Sequence, residues 1–170
     1  MTNNITKKIV ENAIVAAIYF VLTIALGNFA YGEIQFRISE VLVLLCFWRP
    51  DFIIGVTVGT FLANIPSPLP LDMLFGTLAT LLAAAGCAFA SPRLAVATLF
   101  PTIVNAFVVG WELYIAFGFE NVTEFFITTG YVAIGEFAVM IVGYILWLLL
   151  SKNKSFMKVL EPQRHLAARW

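Results

Sequence analysis

The chain has 170 residues, 61% hydrophobic and 12% charged, with ten basic and ten acidic side chains that cancel. Soluble domains carry about 25% charged residues. A water-soluble fold this apolar could not cover its surface, and a mean hydropathy of +0.94 points to an integral membrane protein. The zero net charge offers nothing to nucleic acid.

The first apolar run extends from about Ile9 to Gly27 behind Lys7 and Lys8, close to the ~20 residues of a spanning helix. It is too long for the apolar core of a signal peptide, and no small-residue cleavage site follows it. A polar stretch over 28–37 leads to two short runs, 38–49 and 52–65, separated by Arg49-Pro50-Asp51. Each is short for a complete span, so both are expected to lie beside a polar cavity. After the Pro-rich loop 64–70, an Ala- and Gly-rich run covers 71–90 and stops at Ser91-Pro92-Arg93. The fifth run, 94–117, contains Pro101, Asn105 and Glu112. The sixth, 125–150, is closed by Ser151-Lys152-Asn153-Lys154, and a basic, partly helical tail occupies 151–170. The expectation is one all-α membrane domain of six helices.

With the N-terminus in the cytoplasm, Lys7, Lys8, Arg49, Arg93, Lys152, Lys154, Lys158, Arg164 and Arg169 all fall inside, and Arg37 is the sole outer basic residue. That asymmetry predicts cytoplasmic termini. No internal repeat is evident, and the chain is short for the paired inverted halves of many secondary transporters.

Five charged residues lie in or against the apolar runs: Arg37, Glu40, Asp72, Glu112 and Glu136. Charge in hydrocarbon is costly and usually functional. Arg37 and Glu40 are spaced i, i+3 at the outer start of the second run and can pair. Asp72 opens the fourth run, where an acid also suits a helix N-terminus. Asn105 lies two turns from Glu112 on the same face, and Glu136 falls mid-helix. One arginine cannot neutralise four acids, so some carboxylates require a ligand cation, N–H donors or a bound proton. The polar residues gather in the outer half and leave the inner half apolar. That is the pattern of a cavity open outward, rather than the continuous polar line of a channel or proton relay.

Phe29, Tyr31, Phe36, Trp111, Tyr114 and Tyr131 also fall near the outer half. They suit stacking on a flat heterocycle or, equally, an interfacial belt. Ala13 and Ala17, with Ala16 between, form a small-residue stripe on the first helix that allows close helix approach, within the bundle or to a partner. Cys46 and Cys87 lack CxxC spacing and read as buried hydrophobes. The single histidine, His165, lies in the tail, so no His-based metal set or catalytic triad is expected. No HExxH, GxSxG or P-loop is present. A chain that moves a substrate without a nucleotide site of its own does so passively, with an ion, or with a borrowed ATPase.

The stretch Ile34-Gln35-Phe36-Arg37-Ile38-Ser39-Glu40 resembles the signature of the QueT family, as does the run from Leu71-Asp72-Met73-Leu74-Phe75-Gly76 to Ala84. Asn105 through Glu112 and Gly135-Glu136-Phe137 are similar to its later motifs, and the resemblance spans Ile9 to Leu150. It implies the six-helix bundle of a substrate-binding S component of an energy-coupling factor (ECF) transporter, in a bacterial plasma membrane. Its partners would be a transmembrane scaffold subunit and two cytoplasmic ATPases, which would use ATP and Mg while this chain binds no cofactor. Ala13 and Ala17 would dock the scaffold. The implied ligand is a queuosine precursor of the deazaguanine type, with hydroxymethylpyrimidine, pyridoxine or a stand-alone secondary transporter as alternatives. The expected binding residues are Arg37, Glu40, Asp72, Asn105, Trp111, Glu112, Tyr131 and Glu136. A carboxylate can accept the paired N–H groups of a deazaguanine edge, and a second can meet an aminomethyl cation. Glu112 and Glu136 are the candidates for these two roles.

Overall fold

The structure, a computed structural model, describes residues 2–27 and 36–163. Phe29, Tyr31, Arg164, His165 and Arg169 therefore lie outside the described residues. Every regular element among the described ones is helical. They are α1 (Thr2–Leu26), a 3-10 segment (Ile38–Phe47), a short turn (Pro50–Phe52) and α2 (Ile53–Asn64). Then come α3 (Asp72–Ala85) with a π-helical extension (Gly86–Ala90), α4 (Leu94–Ala97), α5 (Leu99–Ala116), α6 (Val122–Ser151) and α7 (Lys154–Leu160). Four stretches are long and apolar enough to cross a membrane: Asn4–Leu26, Asp72–Ala90, Leu94–Ala116 and Val122–Ser151.

The helices form an arc in the order α1, α2, α3, α5, α6, and the 3-10 segment closes it by touching both α6 and α1. This segment was expected to be an ordinary short helix over 38–49. Its 3-10 winding rises about 2.0 Å per residue against 1.5 Å in an α-helix, so ten residues reach ~20 Å rather than ~15 Å. That gain in reach suits a short element running through the middle of the bundle. Its sequence is apolar nearly all round, as burial on every side requires, and Val43, Leu44, Cys46 and Phe47 are buried there. Trp147 Nε1 on α6 donates to the Val41 carbonyl at 2.7 Å, which fixes the segment's height against that helix.

The expected fifth run is broken at Thr98 into α4 and α5. Pro101 is the cause: it has no N–H to give the Ala97 carbonyl and disturbs the preceding turn. The Cys87 thiol donates to that carbonyl instead, at 3.2 Å. At Gly86, where the π turn begins, a Cβ would sit 2.1 Å from the Phe100 ring, so glycine lets α5 pack this closely. The first helix begins earlier than its apolar run, and the sixth begins at Val122 behind a capping box formed by Asn121 and Glu124.

Close packing of α1 on α2 depends on two glycines spaced i, i+4. A Cβ at Gly55 would lie 2.8 Å from the Asn12 carbonyl oxygen, and one at Gly59 would lie 2.8 Å from Tyr19 Cβ and 2.9 Å from the Ala16 carbonyl. Ala16 is thus used inside the bundle, whereas Ala13 and Ala17 are exposed on the outer face of α1.

The N-terminal part of α1, the corner at 49–51 and the tail meet at one end of the molecule. Arg49 is nearly fully buried there. Its guanidinium reaches Glu11 at 2.5 Å, both Asp51 oxygens at 2.7 and 2.8 Å, and the Leu160 carbonyl at 2.8 Å. Lys7 pairs with Glu161 at 2.6 Å, and the Gln163 amide donates to the Trp48 carbonyl at 3.0 Å. Burial pushes the Asp51 carboxyl up, but the Arg49 hydrogen bonds and charge outweigh it and hold the group below the usual range.

Candidate functional site

The opposite end of the 3-10 segment holds the other buried charges. Arg37, Glu40, Asp72, Asn105, Glu112 and Glu136 are all buried, and they come from the segment's start, α3, α5 and α6. Arg37 interacts electrostatically with Glu40 and Asp72, Glu112 with Asp72 and Arg37, and Glu136 with Glu40 and Arg37. Asn105 adjoins both Glu40 and Glu136. Residues far apart in sequence thus form one cluster of four acids around one arginine.

Local structure places each member. Asn64, the last residue of α2, donates from Nδ2 to the Asp72 backbone carbonyl at 2.7 Å. Ser67 donates its hydroxyl to Asp72 Oδ2 and accepts the Leu69 amide at 3.2 Å. These bonds pin the Pro-rich loop over the first turn of α3. Gly76, one turn below Asp72, leaves the room they need: a Cβ there would lie 2.7 Å from Asn64 Nδ2 and 3.7 Å from Arg37 Nη1. Glu40 Oε1 accepts the Tyr19 hydroxyl from α1 and the Thr80 hydroxyl from α3, the latter at 3.1 Å. One residue along, Ser39 and Thr23 share a hydrogen bond of 2.6 Å.

Satisfaction stops there. Glu40 Oε2, Asp72 Oδ1, both oxygens of Glu112, Glu136 Oε1, Asn64 Oδ1 and the Thr129 hydroxyl are buried and have no hydrogen-bond partner among the described residues. Glu112 is fully buried (0% exposed), and its carboxyl neighbour Asp72 can answer it only through a proton shared between the two acids. A buried acceptor without a donor loses the free energy of its hydration, roughly 1–3 kcal/mol and more when charged. An accumulation of such carboxylates in one place calls for a donor-rich or cationic ligand or for bound protons.

Two of the expected binding residues lie elsewhere. Trp111 is 50% exposed and stacks on Tyr114, with ring centroids 5.9 Å apart. Tyr131 is 44% exposed and lines a recess of about 120 Å³ with Phe117, Phe119, Glu124, Ile127 and Thr128. Conversely, Tyr19, Asn64, Ser67 and Thr80 join the cluster although sequence reasoning passed over them. Tyr19 and Thr23 share one face of α1 at i, i+4, a polar pair in an apolar run that was the available signal. No group of His, Cys, Asp and Glu among the described residues has the arrangement of a metal site.

A helical protein with four stretches long and apolar enough to cross a membrane and a buried polar cluster between its helices has the features of a multi-pass membrane protein. The chain belongs to the QueT transporter family, whose model matches residues 9–152. It is 35% identical over 158 residues to the queuosine precursor transporter QueT of Lactococcus lactis subsp. cremoris (strain MG1363), covering 84% of this chain and 91% of that relative. No solved structure matches it.

Proposed function

We propose that the chain is the substrate-binding S component of an ATP-driven ECF importer in the bacterial plasma membrane, specific for a queuosine precursor of the deazaguanine type. The observation that carries this reading is the set of donor-poor carboxylates at Glu40, Asp72, Glu112 and Glu136, in a chain 35% identical to a queuosine precursor transporter. A 7-deazaguanine offers an N–H and an exocyclic NH₂ on one edge, which suits a carboxylate at Glu136 beside Asn105. An aminomethyl substituent adds a cation, which suits the facing pair Glu112 and Asp72. Arg37 balances part of the remaining negative charge and orders Glu40.

On this reading the bundle crosses the membrane six times with both termini in the cytoplasm. The junction of α1, the 49–51 corner and the tail at one end supports that arrangement, together with the distribution of basic residues. The chain itself catalyses nothing. A transmembrane scaffold subunit docks on α1, and two cytoplasmic ATPases supply the energy from ATP and Mg. The exposure of Ala13 and Ala17, in contrast to Ala16, supports a docking face there.

Calorimetry with 7-aminomethyl-7-deazaguanine against pyridoxine and hydroxymethylpyrimidine tests the ligand. Tight binding of the deazaguanine alone, weakened about 100-fold or more in Glu112→Gln or Glu136→Gln, is the expected result; preference for a vitamin overturns the substrate. Leucines at Ala13 and Ala17 should abolish uptake by reconstituted complex and leave ligand binding intact. Uptake that survives them removes the docking assignment.

A further inference from the structure

We propose that Tyr19 is a positioning residue that makes the ligand site depend on how α1 is seated in the bundle. The proposal rests on the reading of the buried acid cluster as the ligand site. Tyr19 is fully buried (0% exposed), and its hydroxyl donates to Glu40 Oε1. Thr80 of α3 donates to the same oxygen. Two donors on one oxygen, from α1 and α3, fix the carboxylate, while the buried Oε2 has no hydrogen-bond partner among the described residues.

The bond is held by the backbone of α1 as much as by the side chain. At Gly59 of α2 there is no room for a Cβ against Tyr19 Cβ or the Ala16 carbonyl, so α1 packs directly on the α2 backbone at the level of the tyrosine. One turn further on, Thr23 bonds to Ser39, next to Glu40. Tyr19 and Thr23 are thus two rungs from α1 to consecutive residues of the 3-10 segment. The other face of α1 carries Ile14, Ile18 and Val21, all exposed, along with Ala13 and Ala17. One helix therefore presents an open face outward and a site-ordering hydroxyl inward.

A hydrogen bond of this kind does not survive a displacement of an ångström or so. Whatever draws α1 outward releases Glu40 and weakens the site, and by linkage a bound ligand holds α1 in place by the same factor. Ligand release is thereby tied to movement of this helix.

The test measures dissociation constants for 7-aminomethyl-7-deazaguanine on the purified full chain, in wild type, Tyr19→Phe, Thr80→Val and the double variant. Arg37 and Asn105 also act on Glu40 and are present in every variant, but the two hydroxyls are the hydrogen-bond donors to Oε1, and each alone still restrains that oxygen. The expected losses are about fivefold and about threefold singly, and about 100-fold or more together, well beyond their product. Multiplicative losses, or no loss in Tyr19→Phe, overturn the proposal, because a tyrosine that only supports packing would not couple to Thr80. Hydrogen exchange supplies a second readout on the wild type. Ligand should slow exchange in the α1 amides around Tyr19, and should do so less in Tyr19→Phe; unchanged α1 exchange on ligand binding overturns the proposal even if the variant fails to fold. Absence of binding to the wild type removes the ligand reading and this inference with it, a result distinct from binding without coupling.

Discussion

Two clusters of buried charge sit at opposite ends of the 3-10 segment, and they differ in their ratio of acids to bases and in how far their acceptors are satisfied. Around Arg49 every strong group is met: two carboxylates, a backbone carbonyl and the Phe52 ring, 4.5 Å away, surround one guanidinium. Around Arg37 four acids converge, and five of their oxygens have no donor among the described residues. The first arrangement joins α1, the 49–51 corner and the tail. The second is incomplete without something to donate. Burial of charge alone therefore says little about function; the distinguishing quantity is how many acceptors remain without donors.

This contrast predicts opposite responses to mutation. Glu112→Gln and Glu136→Gln should carry the largest effect on binding, about 100-fold or more. The thermal midpoint should hold or rise, since an amide at 112 can donate to Asp72 and an unpaired buried charge is removed. A large fall in the midpoint would mean that these acids are structural. Arg49→Met should do the reverse. It leaves Glu11 and Asp51 facing each other without their cation, at a cost of about 3 kcal/mol in stability, and ligand affinity in the protein that remains folded should stay within about twofold. Chemical denaturation and calorimetry on the two variants side by side would settle which cluster does which.

A smaller effect is expected at the edge of the candidate site. Gly76→Ala forces the Asn64 amide away from the Asp72 carbonyl, with an expected cost of about 1–3 kcal/mol. Because the same shift disturbs the loop over Asp72, ligand affinity should fall with stability. An unchanged affinity would place Asn64 outside the functional cluster.

The smallest effect concerns pH at the paired end. The Asp51 carboxyl is held below its ordinary value by Arg49, so its contribution is fully present at neutral pH. It is lost as pH falls through the folded-state value, below about 4. The wild-type midpoint should decline over that range by more than the midpoint of Asp51→Asn. Parallel curves would show that the Arg49–Asp51 pair adds nothing net.

Much of the candidate cluster was legible because charge is conspicuous in apolar sequence. Arg37, Glu40, Asp72, Glu112 and Glu136 interrupt runs in which each of them is costly, and Asn105 follows from its two-turn spacing to Glu112. Tyr19 and Thr80 were not legible in the same way, since a hydroxyl in an apolar helix reads equally as core or as interface. Trp111 and Tyr131 show the converse: their position near the outer half is set by the sequence, but the helix face they occupy is set by packing. Gly55 and Gly59 form a small-residue pair as visible as Ala13 and Ala17, and it is this pair that brings α1 and α2 together.

By itself the sequence determined that the protein is helical and embedded in a membrane, where its apolar runs begin and end, and which charges demand an explanation. These follow from local composition, because hydrocarbon penalises every charge and every unpaired backbone group wherever it falls. Only the tertiary structure decided which charges are answered. Whether Arg49 is satisfied and Glu112 is not depends on atoms brought from distant parts of the chain. The 3-10 winding of Ile38–Phe47 belongs with these: it is seen only in the folded bundle, where the segment touches both α1 and α6.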